Sequence, residues 1–216
     1  MSKILNYNCE GMWIANYKSY YAWAYYELEL FDIFIKKLIL KEKNIRAKNV
    51  EANQDDLESL VLYETKDLQN VAYMHAITSF LYLCMSIEGF LNFYGTRRLS
   101  EKYYKRNIEK MRITEKLSNI FLSCCSVVID PDDVMLIKLR KLFDVRNSLV
   151  HPKTKEIAQK NMNNFIQAHP ARYKIKEYFK DGECIIDMIC GFDPSIDKDF
   201  EFQRFKPAGK KEIGTF

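Results

Sequence analysis

The sequence predicts an all-α protein, a helical bundle with a C-terminal appendage. Hydrophobic residues form 48% of the 216-residue chain and recur mainly at helical spacing, which is enough apolar material for a sizeable core. Seven glycines and five prolines are too few for the many turns of an all-β fold. We place the bundle at residues 1–155 and the appendage, either packed on the bundle or partly loose, at residues 156–216.

The first predicted helix runs from Trp13 to Ile45. It has no internal glycine or proline, and its last turns carry lysines, which interact favourably with the negative end of a helix dipole. Its first half is rich in aromatic residues. These indicate either a platform on which nucleic-acid bases stack or, more simply, packing in the core or a dimer interface. The residues are Trp13, Tyr17, Tyr20, Tyr21, Trp23, Tyr25 and Tyr26.

The next predicted elements are a short helix over 55–70 and an apolar helix over 71–94. Gly95 is the predicted end of the apolar helix, because glycine commonly follows the last helical residue. Glu88 occupies a position on the apolar side of this helix where a hydrophobic residue would fit, and Asn92 lies one turn further along the same face.

Another helix is predicted to begin at Ser100 and to continue to Cys125. The block of residues 97–116 is strongly basic, which indicates either a solvated helix face or a surface that follows a phosphate backbone. The candidate nucleic-acid-binding residues in this block are Lys102, Lys105, Arg106 and Lys110.

A further helix is predicted from Asp130 to His151. Asp130 can cap its start, and Pro131 fits the first helical position. At the other end, Pro152 moves the preceding residue out of the α region, so His151 should lie at or just past the C-terminus. The helix dipole there favours the protonated imidazole, which suits acid–base chemistry, although a histidine at this position can also simply cap the helix.

Arg146 lies on the apolar seam of this helix, in step with leucines at helical spacing. Because a guanidinium stays charged at cellular pH, an inward arginine needs a carboxylate, a phosphate or carbonyl oxygens. We therefore expect Glu88 to meet Arg146 across two packed helices, with Asn92 nearby. Such a pair can also serve only to fix how two helices pack.

The stretch Arg146-Asn147-Ser148-Leu149-Val150-His151 resembles the R-x4-H motif of the HEPN superfamily, the nucleotide-binding domains of higher eukaryotes and prokaryotes. The arginine of that motif is commonly followed by a polar residue, as Arg146 is by Asn147. The helix that carries residues 86–92 is similar to an earlier helix of some HEPN groups, which also bears an inward acid. The resemblance covers these two helices and, in outline, residues 70–155.

The resemblance implies a HEPN-like helical bundle, frequently a homodimer, in which the arginines and histidines of two protomers face one cleft. Many such proteins are metal-independent endoribonucleases of toxin–antitoxin, abortive-infection and other antiviral defence systems. His151 would then be the catalytic acid–base group, Arg146 the phosphate clamp and Asn147 an orienting partner. The substrate would be RNA, because its 2′-OH acts as the nucleophile.

Two features of the family leave alternatives open. Some members are catalytically silent modules that bind a nucleotide or a protein partner. Others carry a tyrosine shortly after the histidine, which a partner nucleotidyltransferase modifies. Here Pro152, Lys153 and Thr154 follow His151, so control by an antitoxin or another regulatory protein would have to take a different form.

Composition and motifs argue against several other classes. The net charge of +4 is too small to require a polyanionic partner. The sequence has no glycine-rich phosphate loop and no metalloprotease or serine-hydrolase motif, so no cofactor is expected. A zinc site formed by Cys184, Cys190 and His169 matches no common spacing.

The expected location is the cytoplasm. Six scattered cysteines without a C-x2-C pair are typical of reduced thiols, and the amino terminus lacks the pattern of a secretory signal. The longest uncharged run, residues 71–87, is slightly short for a membrane span, so we interpret it as a core helix and expect no membrane partner.

The appendage is predicted to contain one helix over 171–180, ended by Asp181 and Gly182, and then a short apolar run over 184–190. The tail beyond it has little pattern.

Overall fold

A computed structural model describes residues 16–151 and 175–196, and this part of the chain is an all-α helical bundle, as predicted. Six helices follow one another in the described ranges. They are α1 (Tyr17–Lys48), α2 (Gln54–Leu99), α3 (Glu101–Asn107), α4 (Ile113–Cys125), α5 (Val134–Val150) and α6 (Ile175–Phe192).

Helices α1 and α2 form a long antiparallel hairpin. Asn53 caps α2 at the turn, where its side chain accepts a hydrogen bond from the backbone N–H of Asp56 at 2.9 Å. Close to the turn, the guanidinium of Arg46 donates two hydrogen bonds to the carboxylate of a glutamate in α2, at 2.7 and 2.9 Å. At the far end of α1, Tyr17 packs against the backbone of Gly89. The last part of α2 therefore lies beyond Tyr17 and contacts α3 and α4, whereas α6 packs along the hairpin.

The two helices predicted over 55–70 and 71–94 are one helix of 46 residues, and Gly95 does not end it. A Cβ atom at Gly95 would lie 2.6 Å from Cε2 of Tyr104, so the glycine leaves room for the tyrosine ring. The predicted helix end was wrong because the packing of α3 on α2, and not the helix terminus, requires a glycine here.

By length and composition, α2 passes the test for a membrane span, but half of its most apolar 18-residue window is buried within the bundle. A core helix of a soluble protein passes the same test.

The single helix predicted from Ser100 to Cys125 is two helices. The Ser100 hydroxyl caps α3 by accepting a hydrogen bond from the backbone N–H of Tyr103 at 3.4 Å. The chain turns after Asn107 and restarts at Arg112, whose backbone N–H donates to the Glu115 carboxylate at 3.3 Å. These local caps and the turn separate α3 from α4, although both segments have helical apolar patterns.

Helix α5 starts later than predicted and ends where predicted. Its cap is Asp133, whose carboxylate accepts the backbone N–H of Met135 at 2.7 Å, while Asp130 and Pro131 form a turn before it. At the other end, His151 occupies the C-cap position, and its backbone N–H donates to the carbonyl of Asn147 at 2.9 Å.

Helix α6 runs through Gly182, which had been predicted to lie at a helix end, and includes the apolar run 184–190. A Cβ atom at Gly182 would lie 3.1 Å from both Cδ atoms of Leu83, so this glycine also permits close packing on α2. The apolar face of α6 belongs to the same core cluster as the buried residues of α1, α2, α4 and α5. Residues 175–196 are thus part of the bundle, whereas residues 156–174 and 197–216 of the predicted appendage lie outside the described ranges.

The aromatic residues of α1 divide between core and surface. Tyr17 and Tyr21 are buried in the core, and the ring of Tyr20 stacks on Tyr82 with centroids 6.0 Å apart. Trp23 and Tyr26 are about half exposed, and Trp13 lies outside the described residues.

Candidate active site

An open cleft of about 900 Å³ lies between α4 and α5 and contains part of the predicted site. The start of α4, the loop before α5 and one face of α5 form its walls, and α2 contributes Glu88. Three lining residues are arginines: Arg112, Arg140 and Arg146. Three others are acids: Glu88, Glu115 and Asp144.

Arg146 follows the buried seam of α5 and is itself half-buried at the edge of the cleft. Its Nη1 donates a hydrogen bond to Oδ1 of Asn147 at 2.9 Å, and Asn147 lines the same cleft. Its positive charge also acts on Cys84 inside the bundle. Burial raises the pKa of the Cys84 thiol, and Arg146 opposes this rise by attracting the thiolate. The inward direction inferred from the apolar seam agrees with this arrangement.

The predicted direct pair of Glu88 and Arg146 is absent from the ion pairs that the described residues form. Oε1 of Glu88 instead lies 4.0 Å from Nζ of Lys116, which α4 brings against α2 at this level. Both Glu88 and Arg146 line the cleft, so they share a site without forming a direct pair. The prediction was wrong because it assumed that α2 and α5 met without another cation between them.

Lys116 is the buried base that the sequence analysis missed. Its side chain is 3% exposed, and Nζ donates to Oδ1 of Asn92 at 2.8 Å, which also accepts the Tyr104 hydroxyl at 2.5 Å. Burial lowers the pKa of Lys116, whereas the negative charges of Glu88 and Glu109 raise it. A signal was present in the sequence, because Lys116 is in helical step with the buried Ile120 and belongs to the apolar face of α4.

His151 lies on the same last turn as Arg146, but its side chain is exposed and is not among the residues that line the cleft of this single chain. The structure therefore brings Arg146, Asn147 and Glu88 into one cleft and places His151 beside it, at the solvent-exposed end of α5.

The predicted nucleic-acid-binding residues lie on α3 and the turn after it, outside the lining of the cleft. All four side chains are exposed, and that of Lys105 forms an ion pair with Glu101 at 2.5 Å. Their role in binding RNA stays a prediction. The residues are Lys102, Lys105, Arg106 and Lys110.

A second buried charge cluster joins the end of α2 to the end of α6. The Asp193 carboxylate accepts hydrogen bonds from the Tyr94 hydroxyl at 2.6 Å, the Ser195 hydroxyl at 2.6 Å and Arg98 Nη2 at 3.2 Å. Burial would raise the pKa of Asp193, but the bonds from Ser195 and Tyr94, together with the charge of Arg98, hold it below its ordinary value. Because this cluster lies in the core and away from the cleft lining, its role is to fasten α6 to α2.

Within residues 16–151 and 175–196, no group of three or more His, Cys, Asp or Glu side chains is placed to hold a metal ion. His169, part of the zinc combination considered above, lies outside those ranges. Comparisons with protein-family models, curated proteins and solved structures gave no match to this chain. The resemblance to HEPN proteins therefore depends on the residues of α2 and α5 quoted above.

Proposed function

We propose that this protein is a cytoplasmic, metal-independent endoribonuclease of the HEPN type, acting in prokaryotic defence as a toxin or an abortive-infection factor. The observation that supports this most strongly is the arrangement at the end of α5. The guanidinium of Arg146 lines an open cleft, and the exposed imidazole of His151 lies five residues further on, at the C-cap position of the same helix.

In this proposal, His151 removes the proton from a ribose 2′-OH, and the 2′-oxygen attacks the adjacent phosphorus. The bond from phosphorus to the 5′-oxygen breaks, and that oxygen takes up a proton from water as it leaves, so the products carry a 2′,3′-cyclic phosphate and a 5′-OH. Arg146 stabilises the negative charge on the phosphoryl oxygens, and its hydrogen bond to Asn147 restricts the orientation of the guanidinium. A second copy of the chain would place a second Arg146 and His151 at the same cleft, as in a HEPN homodimer.

The test is cleavage of labelled single-stranded RNA in EDTA by the wild type and by Arg146→Ala and His151→Ala. Loss of an acid–base group or of a charge-stabilising group should lower the rate at least about a hundredfold. Arg46→Ala is the matched control, because Arg46 is an exposed arginine near the hairpin turn, and it should cleave at the wild-type rate. Undiminished cleavage by both active-site variants would exclude the proposed site.

One observation favours a second function. The His151 side chain does not line the cleft of the single chain, so the cleft alone lacks the imidazole on which the proposed reaction depends. A catalytically silent module would bind a nucleotide or a protein partner there. If the protein is such a module, the wild type should cleave no RNA under the same conditions, even as a dimer.

A further inference from the structure

Within residues 16–151 and 175–196, no carboxylate is paired with any of the three arginines of the cleft, although each arginine stays charged at any cellular pH. Arg112 and Arg140 are exposed, and Arg146 uses one N–H group on the neutral amide of Asn147. Guanidinium groups that lack an internal carboxylate and face one cavity are suited to bind an anion from solution.

The cleft has as many acids as arginines, but two of the acids make contacts elsewhere. Glu115 accepts the backbone N–H of Arg112, and Glu88 lies 4.0 Å from the buried ammonium of Lys116. Asp144 is the lining acid with no hydrogen bond or ion pair to another described residue. The three guanidiniums therefore form no ion pair with a described carboxylate, although the cleft lining is balanced in formal charge.

The spacing of the arginines favours an extended anion with several charges. Arg140 and Arg146 are six residues apart on α5, which separates their Cα atoms by about 9 Å along the helix axis. Arg112 stands across the cleft at the start of α4, where the positive end of the helix dipole adds to its charge. Two phosphates of one nucleic-acid strand can thus be bound at two positions along α5. Apolar side chains, among them Ile113, also line the cleft and offer contact to sugars and bases.

We infer that Arg112 and Arg140 bind phosphates next to the scissile phosphate of single-stranded RNA, while Arg146 holds the scissile one. The identity of the polymer rests on the proposed function. The assignment of Arg112 and Arg140 rests on the cleft itself. The RNA backbone then runs along the groove between α4 and α5, and these two arginines determine affinity without taking part in the chemical step.

The experiment measures binding of the full chain to a fluorescent oligoribonucleotide whose 2′-hydroxyls are methylated, so that it cannot be cleaved. The double variant Arg112→Gln, Arg140→Gln should bind about tenfold more weakly for each arginine removed. It should also lower the dependence of log affinity on log salt by about 0.7 per lost phosphate contact. Because both side chains are exposed, the variant should keep the wild-type Tm, which circular dichroism checks.

Two further double variants make the result specific. Arg46→Gln with Lys48→Gln removes the same charge at the end of α1 and should leave the salt dependence unchanged. Arg112→Lys with Arg140→Lys keeps the charge but loses the two-pronged geometry, so it should recover the salt dependence and only part of the affinity.

The outcomes separate this inference from the proposed function. A wild type that cleaves RNA while the Arg112, Arg140 variant binds with unchanged affinity and salt dependence would overturn the inference alone. A wild type that cleaves nothing, but whose binding depends on both arginines, would remove the ribonuclease proposal and keep the inference. Displacement of the oligonucleotide by ATP at equal concentration, with the same dependence on both arginines, would overturn the assignment to RNA.

Discussion

Lys116 keeps an ammonium group inside the bundle, 4.0 Å from a carboxylate oxygen of Glu88, with almost none of its surface exposed. Burial disfavours the charged form, and the amide oxygen of Asn92 and the carboxylate of Glu88 compensate. Glu88 lies nearest Lys116, and among residues 16–151 and 175–196 no carboxylate forms an ion pair with Arg146.

Asp193 supports a prediction about stability and pH. Asp193→Asn should lower the free energy of unfolding at pH 7 by about 3 kcal/mol, because it removes the charge that Arg98 and two hydroxyl groups bind in the core. The pKa of Asp193 in the folded state is below its ordinary value of 3.8, so its contribution is complete above that pH and is lost as the pH falls through the folded-state pKa. Urea unfolding at several pH values should show a constant gap between wild type and variant from pH 7 to pH 5, and a narrowing gap below about pH 4.

Asp67→Asn is the control for this measurement, because Asp67 is an exposed carboxylate on α2. It should change stability by less than about 0.5 kcal/mol. A gap between wild type and Asp193→Asn that widened with acidification would contradict the assignment of a lowered pKa.

At the scale of helices, local rules predicted some ends and not others. The end of α5 at His151 follows from Pro152, whose effect on the preceding residue is local and can be read from the sequence. Gly95 and Gly182 looked like helix ends for an equally local reason, but both lie inside helices where another chain segment approaches closely. Close approach depends on which helices pack together, and a single sequence does not show this.

Gly95→Ala tests the packing explanation. Alanine favours a helix interior by about 1 kcal/mol over glycine, but the added methyl group would lie 2.6 Å from the Tyr104 ring and 3.2 Å from Cδ1 of Ile120. Overpacking of this kind costs about 1–3 kcal/mol, so we expect a net loss of stability of about 1 kcal/mol in thermal or urea unfolding.

Gly191→Ala is the matched control, since a Cβ atom there meets nothing within 4 Å. It should leave stability unchanged or raise it by less than about 1 kcal/mol. Equal stabilisation by both substitutions would mean that Gly95 is not required for close packing.

At the scale of the whole molecule, the hairpin of α1 and α2 supports a smaller group of helices at one end, and the cleft lies within that group. The all-α class could be predicted because apolar periodicity is repeated along most of the chain. The location of Arg146 and His151 on one helix turn could be predicted because their spacing is short. The partner of Glu88 could not be predicted, because it depends on how α4 packs against α2, which is distant in sequence.

We propose that Arg146 and His151 together cleave RNA at a ribose 2′-OH. The most direct test is a DNA oligonucleotide that contains a single ribonucleotide, incubated with the protein in EDTA. We expect one cut, immediately 3′ of the ribonucleotide, that leaves a 2′,3′-cyclic phosphate and disappears with either Arg146→Ala or His151→Ala. Cleavage at deoxyribonucleotides, or the same single cut by both variants, would contradict the claim.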